Sequence, residues 1–174
     1  MWVMTSKKRG VSLREIVLYG LLGGLMTASQ VAMAALPNVH IVGVLVLLCA
    51  QVFGLRALYP VYVFVVLEIL IFGMGLWNIN YLYIWALLVL IGVVLNKTHA
   101  GRLGWAAAAG VYGMLFGALC AIPHYFMGGW SMAFAYWISG IPYDLLHGVS
   151  NFALTWVLLP PLSRMMRHLL EAQK

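Results

Sequence analysis

Charge is what this chain lacks. Of its 174 residues, 10 are Lys or Arg and 4 are Asp or Glu, so charged residues make up 8%. A soluble domain carries about 25%. With 64% of the residues hydrophobic, too little polar surface remains to coat a water-soluble globule. That shortage excludes a soluble enzyme and a disordered chain. Cysteine is scarce as well. Cys49 and Cys120 both fall inside apolar runs, where a free thiol behaves as a small apolar side chain, and two such residues make no disulfide scaffold. The chain has no G-x-x-x-x-G-K-[ST], no H-E-x-x-H and no paired-cysteine motif. It therefore hydrolyses no nucleotide through a P-loop, and no catalytic residue, metal ligand or cofactor is expected.

What remains is apolar and segmented. A helix needs roughly 20 apolar residues to cross about 30 Å of hydrocarbon. Six stretches approach that length, at residues 16–36, 39–53, 58–76, 81–95, 105–127 and 136–159. Pro37-Asn38 separates the first two, Gly54-Leu55-Arg56 separates the next two, and Pro60 suits a first helical turn. An A-x-A pattern, Ala32-Met33-Ala34, imitates a leader-peptidase site. The apolar run around it is long enough to span, so a retained helix is expected.

The net charge of +6 would ordinarily point to nucleic acid. Its distribution argues otherwise. Lys7, Lys8, Arg9 and Arg14 precede the first stretch. Arg56 lies between the second and third, and Lys97 and Arg102 between the fourth and fifth. Arg164, Arg167 and Lys174 follow the sixth. An alternating path puts all of them on one side, which the positive-inside rule makes cytoplasmic. The expected fold is an all-α membrane protein. It is a compact six-transmembrane-helix bundle forming one domain over residues 1–174, in the cell membrane, with both termini cytoplasmic. Its expected surroundings are the lipid bilayer, with no nucleic acid partner.

Two ridges of small residues recur at four-residue spacing, which stacks them on one helix face. They are Gly20, Gly24, Ala28 and Ala32 in the first stretch, and Ala109, Gly113, Gly117 and Ala121 in the fifth. Such ridges let membrane helices approach closely. The second is expected to serve packing inside the bundle. The first serves either internal packing or a partner.

Two acids, Glu68 and Asp144, fall inside apolar stretches. Each costs on the order of 2.5–3.5 kcal/mol at a bilayer centre, so each marks a functional site or a structural hydrogen bond between helices. Gly140, Asp144, His147 and Asn151 share one helical face. About half of the aromatic residues gather around the outer connections after the third and fifth stretches. An interfacial belt would occupy both faces, so the asymmetry implies an aromatic-lined cavity open to the outside. The candidate binding residues at that level are Asn38, His40, Trp77, Asn78, Asn80, Tyr81, His124, Tyr125, Trp130, Tyr136, Trp137, Asp144 and His147. Apolar walls with a few convergent polar groups suit a small molecule. With no Lys or Arg there, a folate, biotin or pantothenate carboxylate is disfavoured.

These features resemble the S components of energy-coupling factor (ECF) vitamin importers over nearly the whole length. The resemblance rests on the basic N-terminus, the Ala28-x-x-x-Ala32 ridge, the break Leu36-Pro37-Asn38-Val39, six expected spans in under 200 residues, and the segment from Ala135 through Pro142, Asp144 and His147 to Asn151. It implies a non-enzymatic subunit that captures a vitamin from outside. Docking on a membrane coupling protein would use Ala28 and Ala32, extended by Gly20 and Gly24. Two cytosolic ATPases would drive that protein, and the subunit would topple to release its cargo. The cargo ranked first is cobalamin, followed by riboflavin, a pyridoxine type or a thiamine-type cation that would pair with Glu68 or Asp144. Two other classes give distinct expectations. A structural membrane scaffold needs a filled core. An intramembrane enzyme needs Asp144 and His147 in contact beside a cleft, with Ser150 as the nearest nucleophile.

Overall fold

The computed structural model describes residues 10–36 and 38–171. Lys7, Lys8, Arg9, Pro37 and Lys174 lie outside the described residues. The described chain is helical throughout: α1 (Leu13–Ala32), α2 (Val42–Phe53), a 3-10 turn (Gly54–Ala57), α3 (Leu58–Phe72), α4 (Leu76–Lys97), α5 (Arg102–Met114), α6 (Phe116–Cys120) and α7 (Ile122–Glu171). Four helical stretches are long and apolar enough to cross a membrane: Leu13–Ala32, Val42–Phe72, Leu76–Lys97 and Ile122–Glu171. The second of these runs through the 3-10 turn. The 13 residues of α5 reach only about 20 Å.

Local chemistry sets the boundaries. Ser12 and Glu15 form a reciprocal capping box at the start of α1, with Ser12 N donating to Glu15 Oε2 at 2.8 Å, which satisfies otherwise orphaned first-turn amides. Gly54 ends α2 at φ +61°, a left-handed value that glycine adopts without a Cβ penalty. Within α7, Gly129 takes φ +70° beside Gly128, and there the chain reverses. His124 and Tyr136 stack across the reversal at 3.9 Å.

Side-chain pairings give the relative directions. α1 and α3 run parallel, joined by Glu15–Arg56 at 2.6 Å near one end and Gln30–Glu68 at 2.8 Å near the other. α4 returns alongside α2, with Gly92 against Ala50 and Asn96 Nδ2 donating to the Gln51 carbonyl. α7 also descends beside α2, from Asn151 near Gly43 to Ser163 bonded to Gln51. α5 opposes α7: Arg102 Nε donates to the Trp156 carbonyl and Gly117 N to Asp144 Oδ1. One end of the bundle therefore gathers Arg14, Arg56, Lys97, Arg102 and Arg164. The opposite end gathers Gln30, Tyr81, His40 and the His124–Tyr136 stack.

The core centres on α2, from Val42 to Ala50, with Phe64, Trp85 and Leu88 packed around it. The outside is apolar too. Leu70, Met74 and Phe126 are all more than 70% exposed, a surface suited to lipid rather than water.

The two small-residue ridges take opposite placements. A Cβ added at Gly113 would lie 2.8 Å from Gly148 Cα and from the His147 carbonyl, so this ridge packs backbone to backbone against α7. At Gly20 and Gly24 an added Cβ meets nothing within 4 Å, and Ala28 and Ala32 are exposed. The inward side of α1 is carried instead by Gly23, where a Cβ would lie 2.6 Å from Val63. Gly113→Val should therefore destabilise the protein by about 1–3 kcal/mol, the range for overpacking a tight contact, while Gly24→Ala, on an open helix face, keeps or slightly raises thermal stability in detergent. Equal melting temperatures for the two variants would contradict this packing.

Candidate functional site

One face of α7 places Asp144, His147, Asn151 and Thr155 in a row, at positions i, i+3, i+7 and i+11. All four are buried, and His147 is only 1% exposed. Among the described residues, Asp144 Oδ2, both ring nitrogens of His147, Asn151 Oδ1 and Thr155 Oγ1 have no hydrogen-bond partner. Buried polar atoms are nearly always paired, so each orphan calls for an explanation.

The stripe faces aromatic rings. His147 packs between Phe116 at 4.7 Å and His40 at 5.0 Å. His40 stands edge-on to Trp85 at 6.2 Å. Trp85, fully buried, is ringed by Tyr81, Phe64 and Phe116, and its Nε1 has no partner. Beyond Tyr81 lies a second polar group. Gln30 Nε2 donates to Glu68 Oε2 at 2.8 Å and lies 3.2 Å from the Tyr81 hydroxyl. Glu68 Oε1 and Gln30 Oε1 are unpaired. Glu68 is 1% exposed. Glu68 thus reaches the aromatic cluster through Gln30 and Tyr81, and Asp144 is bonded to Gly117, the residue after Phe116. The connection between α1 and α2 is fastened over α7, with Ser150 Oγ donating to the Asn38 carbonyl at 3.0 Å.

The residues picked out from the sequence divide into three groups. His40, Tyr81, Asp144 and His147 line this interior, and Trp77 adjoins it through Tyr81 at 5.0 Å. Asn38 contributes its carbonyl, as above. Asn78 and Asn80 are buried but serve local structure. Asn78 Oδ1 accepts from Gly75 N at the start of α4, and the Tyr83 hydroxyl lies 2.8 Å from Asn80 Oδ1. The rest gather at the reversal in α7. His124 stacks on Tyr136, Tyr125 pairs with Trp130 at 4.7 Å, and Trp137 pairs with Phe134. Trp130 is 78% exposed, so this group forms the rim of that end rather than the wall of the interior. Gly140 meets nothing within 4 Å of an added Cβ, and the buried stripe starts at Asp144.

Gln30, Phe116 and Thr155 belong to the interior but carried no distinguishing motif. The available signal for Gln30 is its period: Gly23, Thr27 and Gln30 recur on the inward face of α1, beside the exposed ridge.

Two apolar depressions lie outside this interior. A groove of about 720 Å³ follows α3 from Leu55 to Leu67, with Arg56 at its edge. A cleft of about 280 Å³ lies between Leu76, Ile79 and Tyr83 of α4 and the Ile122–Met127 turn of α7. Asp144 and His147 are not hydrogen-bonded to one another, because Asp144 Oδ1 is held by Gly117 N and the remaining atoms are unpaired. Ser150 Oγ is engaged by backbone carbonyls. Among the described residues, no three His, Cys, Asp or Glu side chains are grouped to hold a metal ion.

No family model matches the chain, and neither a curated protein nor a solved structure is significantly similar to it.

Proposed function

We propose that this chain is the vitamin-binding membrane subunit, the S component, of an ECF-type importer. In this reading the six helical runs cross the cell membrane six times, with both termini in the cytoplasm and the arginine-rich end inward. The aromatic end faces outside and receives the cargo. A coupling membrane protein and two ATPases supply the work, so the chain itself needs no nucleotide site. Cobalamin, riboflavin, pyridoxine and thiamine types are the cargo candidates.

The observation that carries the reading is the ridge Gly20-Gly24-Ala28-Ala32. It is turned away from the chain's own bundle, although it has the spacing of the ridge that α5 and α6 bury against α7. A bare small-residue face is well suited to close approach by another membrane helix. The buried, unpaired polar interior supports the cargo half of the reading, since a scaffold gains nothing from unsatisfied groups in its core.

Removing the chain from its host should cut cellular uptake of one radiolabelled vitamin among the four types, and restoring the chain should restore that uptake. Unchanged uptake of all four would contradict the proposal.

A further inference from the structure

We propose that Glu68 is a proton-binding site. In the folded chain its carboxyl group holds a proton and shares it with the side-chain amide of Gln30, closing a clasp between α1 and α3. The clasp is independent of the importer reading and of any cargo. Three observations carry it.

First, the pairing is half complete. Gln30 Nε2 donates to Glu68 Oε2 at 2.8 Å. The other oxygen of each group, Gln30 Oε1 and Glu68 Oε1, is buried and has no hydrogen-bond partner among the described residues. An ionised carboxylate and an amide oxygen both only accept, so these two cannot serve one another. One proton on Glu68 turns an acceptor into a donor. A carboxylic acid and a primary amide then complement each other in both bonds, and a single proton answers two orphans.

Second, exchanging the two ends of the amide gives the same result. The Gln30 oxygen would then lie 2.8 Å from Glu68 Oε2 and 3.2 Å from the Tyr81 hydroxyl. Tyr81 can donate to it. Glu68 can do so only as the acid, because two acceptor oxygens at 2.8 Å need a proton between them.

Third, no neighbouring element supplies a positive charge. Glu68 is buried, and α3 packs chiefly against α1, α4 and the 3-10 turn. From α1 it meets neutral Gln30. From α4 it is approached by Tyr81, whose hydroxyl lies beside Gln30 Nε2 and bonds to neither unpaired oxygen. Arg56 of the 3-10 turn lies twelve residues away, about 18 Å along a helix, and pairs with Glu15 at 2.6 Å. A buried acid without a cation takes up a proton rather than bear the cost of a buried charge.

α1 is thus fastened to α3 at two points with opposite requirements. Near its start Glu15 works as an ion, and at Gln30 Glu68 works as an acid. Gln30 lies between Ala28 and Ala32 in sequence, so the proton steadies the part of α1 that carries the end of the exposed ridge.

The test uses the purified full-length protein in detergent. Its infrared spectrum at about pH 7 should contain the C=O band of a protonated carboxyl group. Carbon-13 in the glutamate carboxyl groups should shift that band, which separates Glu68 from Asp144, and Glu68→Gln should remove it. The unfolded chain releases a glutamate proton above about pH 4.3, whereas the folded chain keeps this one, so rising pH favours unfolding. Between about pH 5 and pH 8 the folded-to-unfolded ratio of the parent, relative to Glu68→Gln, should therefore fall by a factor approaching tenfold per pH unit. A folded parent with no glutamate acid band overturns the proposal. So does a relative ratio that stays flat or rises with pH, which is the behaviour of an ionised Glu68 completed by an internal water. Should Glu68→Gln fail to fold, the labelled parent decides by its band alone.

Discussion

Ala28→Trp abolishes cargo uptake by whole cells and leaves cargo binding by the purified protein unchanged. Ala28 sits at the centre of the exposed ridge on α1, with open space beside Gly24 one turn below. Among the described residues nothing lies within 4 Å of a Cβ added at Gly20 or Gly24, so an indole on that face costs the fold little. In a helix–helix contact built on small residues the same indole holds the two backbones apart. Overpacking of a tight contact costs about 1–3 kcal/mol, or about 5- to 150-fold in the docking equilibrium. The readouts are uptake of a labelled vitamin and calorimetric affinity in detergent. Ala32→Trp should behave alike. Normal uptake by both variants contradicts docking through this ridge. Loss of uptake together with loss of binding would mean that the ridge supports the fold instead.

The second large effect is a trade of function for stability. Replacing His147 with Phe and Asn151 with Leu should raise the melting temperature and eliminate the response to cargo. Each removes buried polar atoms that find no partner among the described residues, and each such atom costs about 1–3 kcal/mol. Phe keeps an aromatic ring in contact with Phe116 and His40, though it is somewhat larger than the imidazole it replaces. A gain of about 2–4 °C per kcal/mol is the scale for a chain of this length. Ser163→Ala provides the contrast. Its hydroxyl is bonded to Gln51 and to the Leu159 carbonyl, so its removal should lower stability. If the His147 and Asn151 variants melt earlier than the parent, the stripe is a structural network and not a cargo site.

Much of the helical class was legible in the sequence, and the reasons are physical. Scarce charge and long apolar runs leave only helices that satisfy their own backbone. The clustering of Arg14, Arg56, Lys97 and Arg102 at one end followed from where they interrupt the runs. The breaks in the fifth run were not legible. Its helix is interrupted at Leu115 and again at Ala121, where no proline gives warning. The cause is tertiary. Gly117 must come close enough to α7 for its N–H to reach Asp144 Oδ1, and a local pattern cannot encode the position of a carboxylate 27 residues away.

The small-residue ridges make the same point more sharply. Gly20-Gly24-Ala28-Ala32 and Ala109-Gly113-Gly117-Ala121 have identical spacing, yet one faces outward and the other is buried. What separates them is the company each helix keeps. Gly23, one residue from Gly24, already supplies the close approach of α1 to Val63 and the Pro60 carbonyl.

The candidate site was legible in its acids and imidazoles and blurred in its aromatics. Asp144, His147 and Asn151 share a face by helical period alone. Trp130 and Trp137 looked equivalent to Tyr81 because they are near the same end of the chain's path. Only the reversal at Gly128 and Gly129 separates the rim from the interior.

The most direct measurement is the composition of the complex that the tagged chain forms when it is extracted from its host in mild detergent, read by mass spectrometry. One coupling membrane protein and two P-loop ATPases are expected in stable stoichiometry with the chain, and their loss is expected in Ala28→Trp. Recovery of the parent chain alone, with no coupling protein or ATPase, would contradict it.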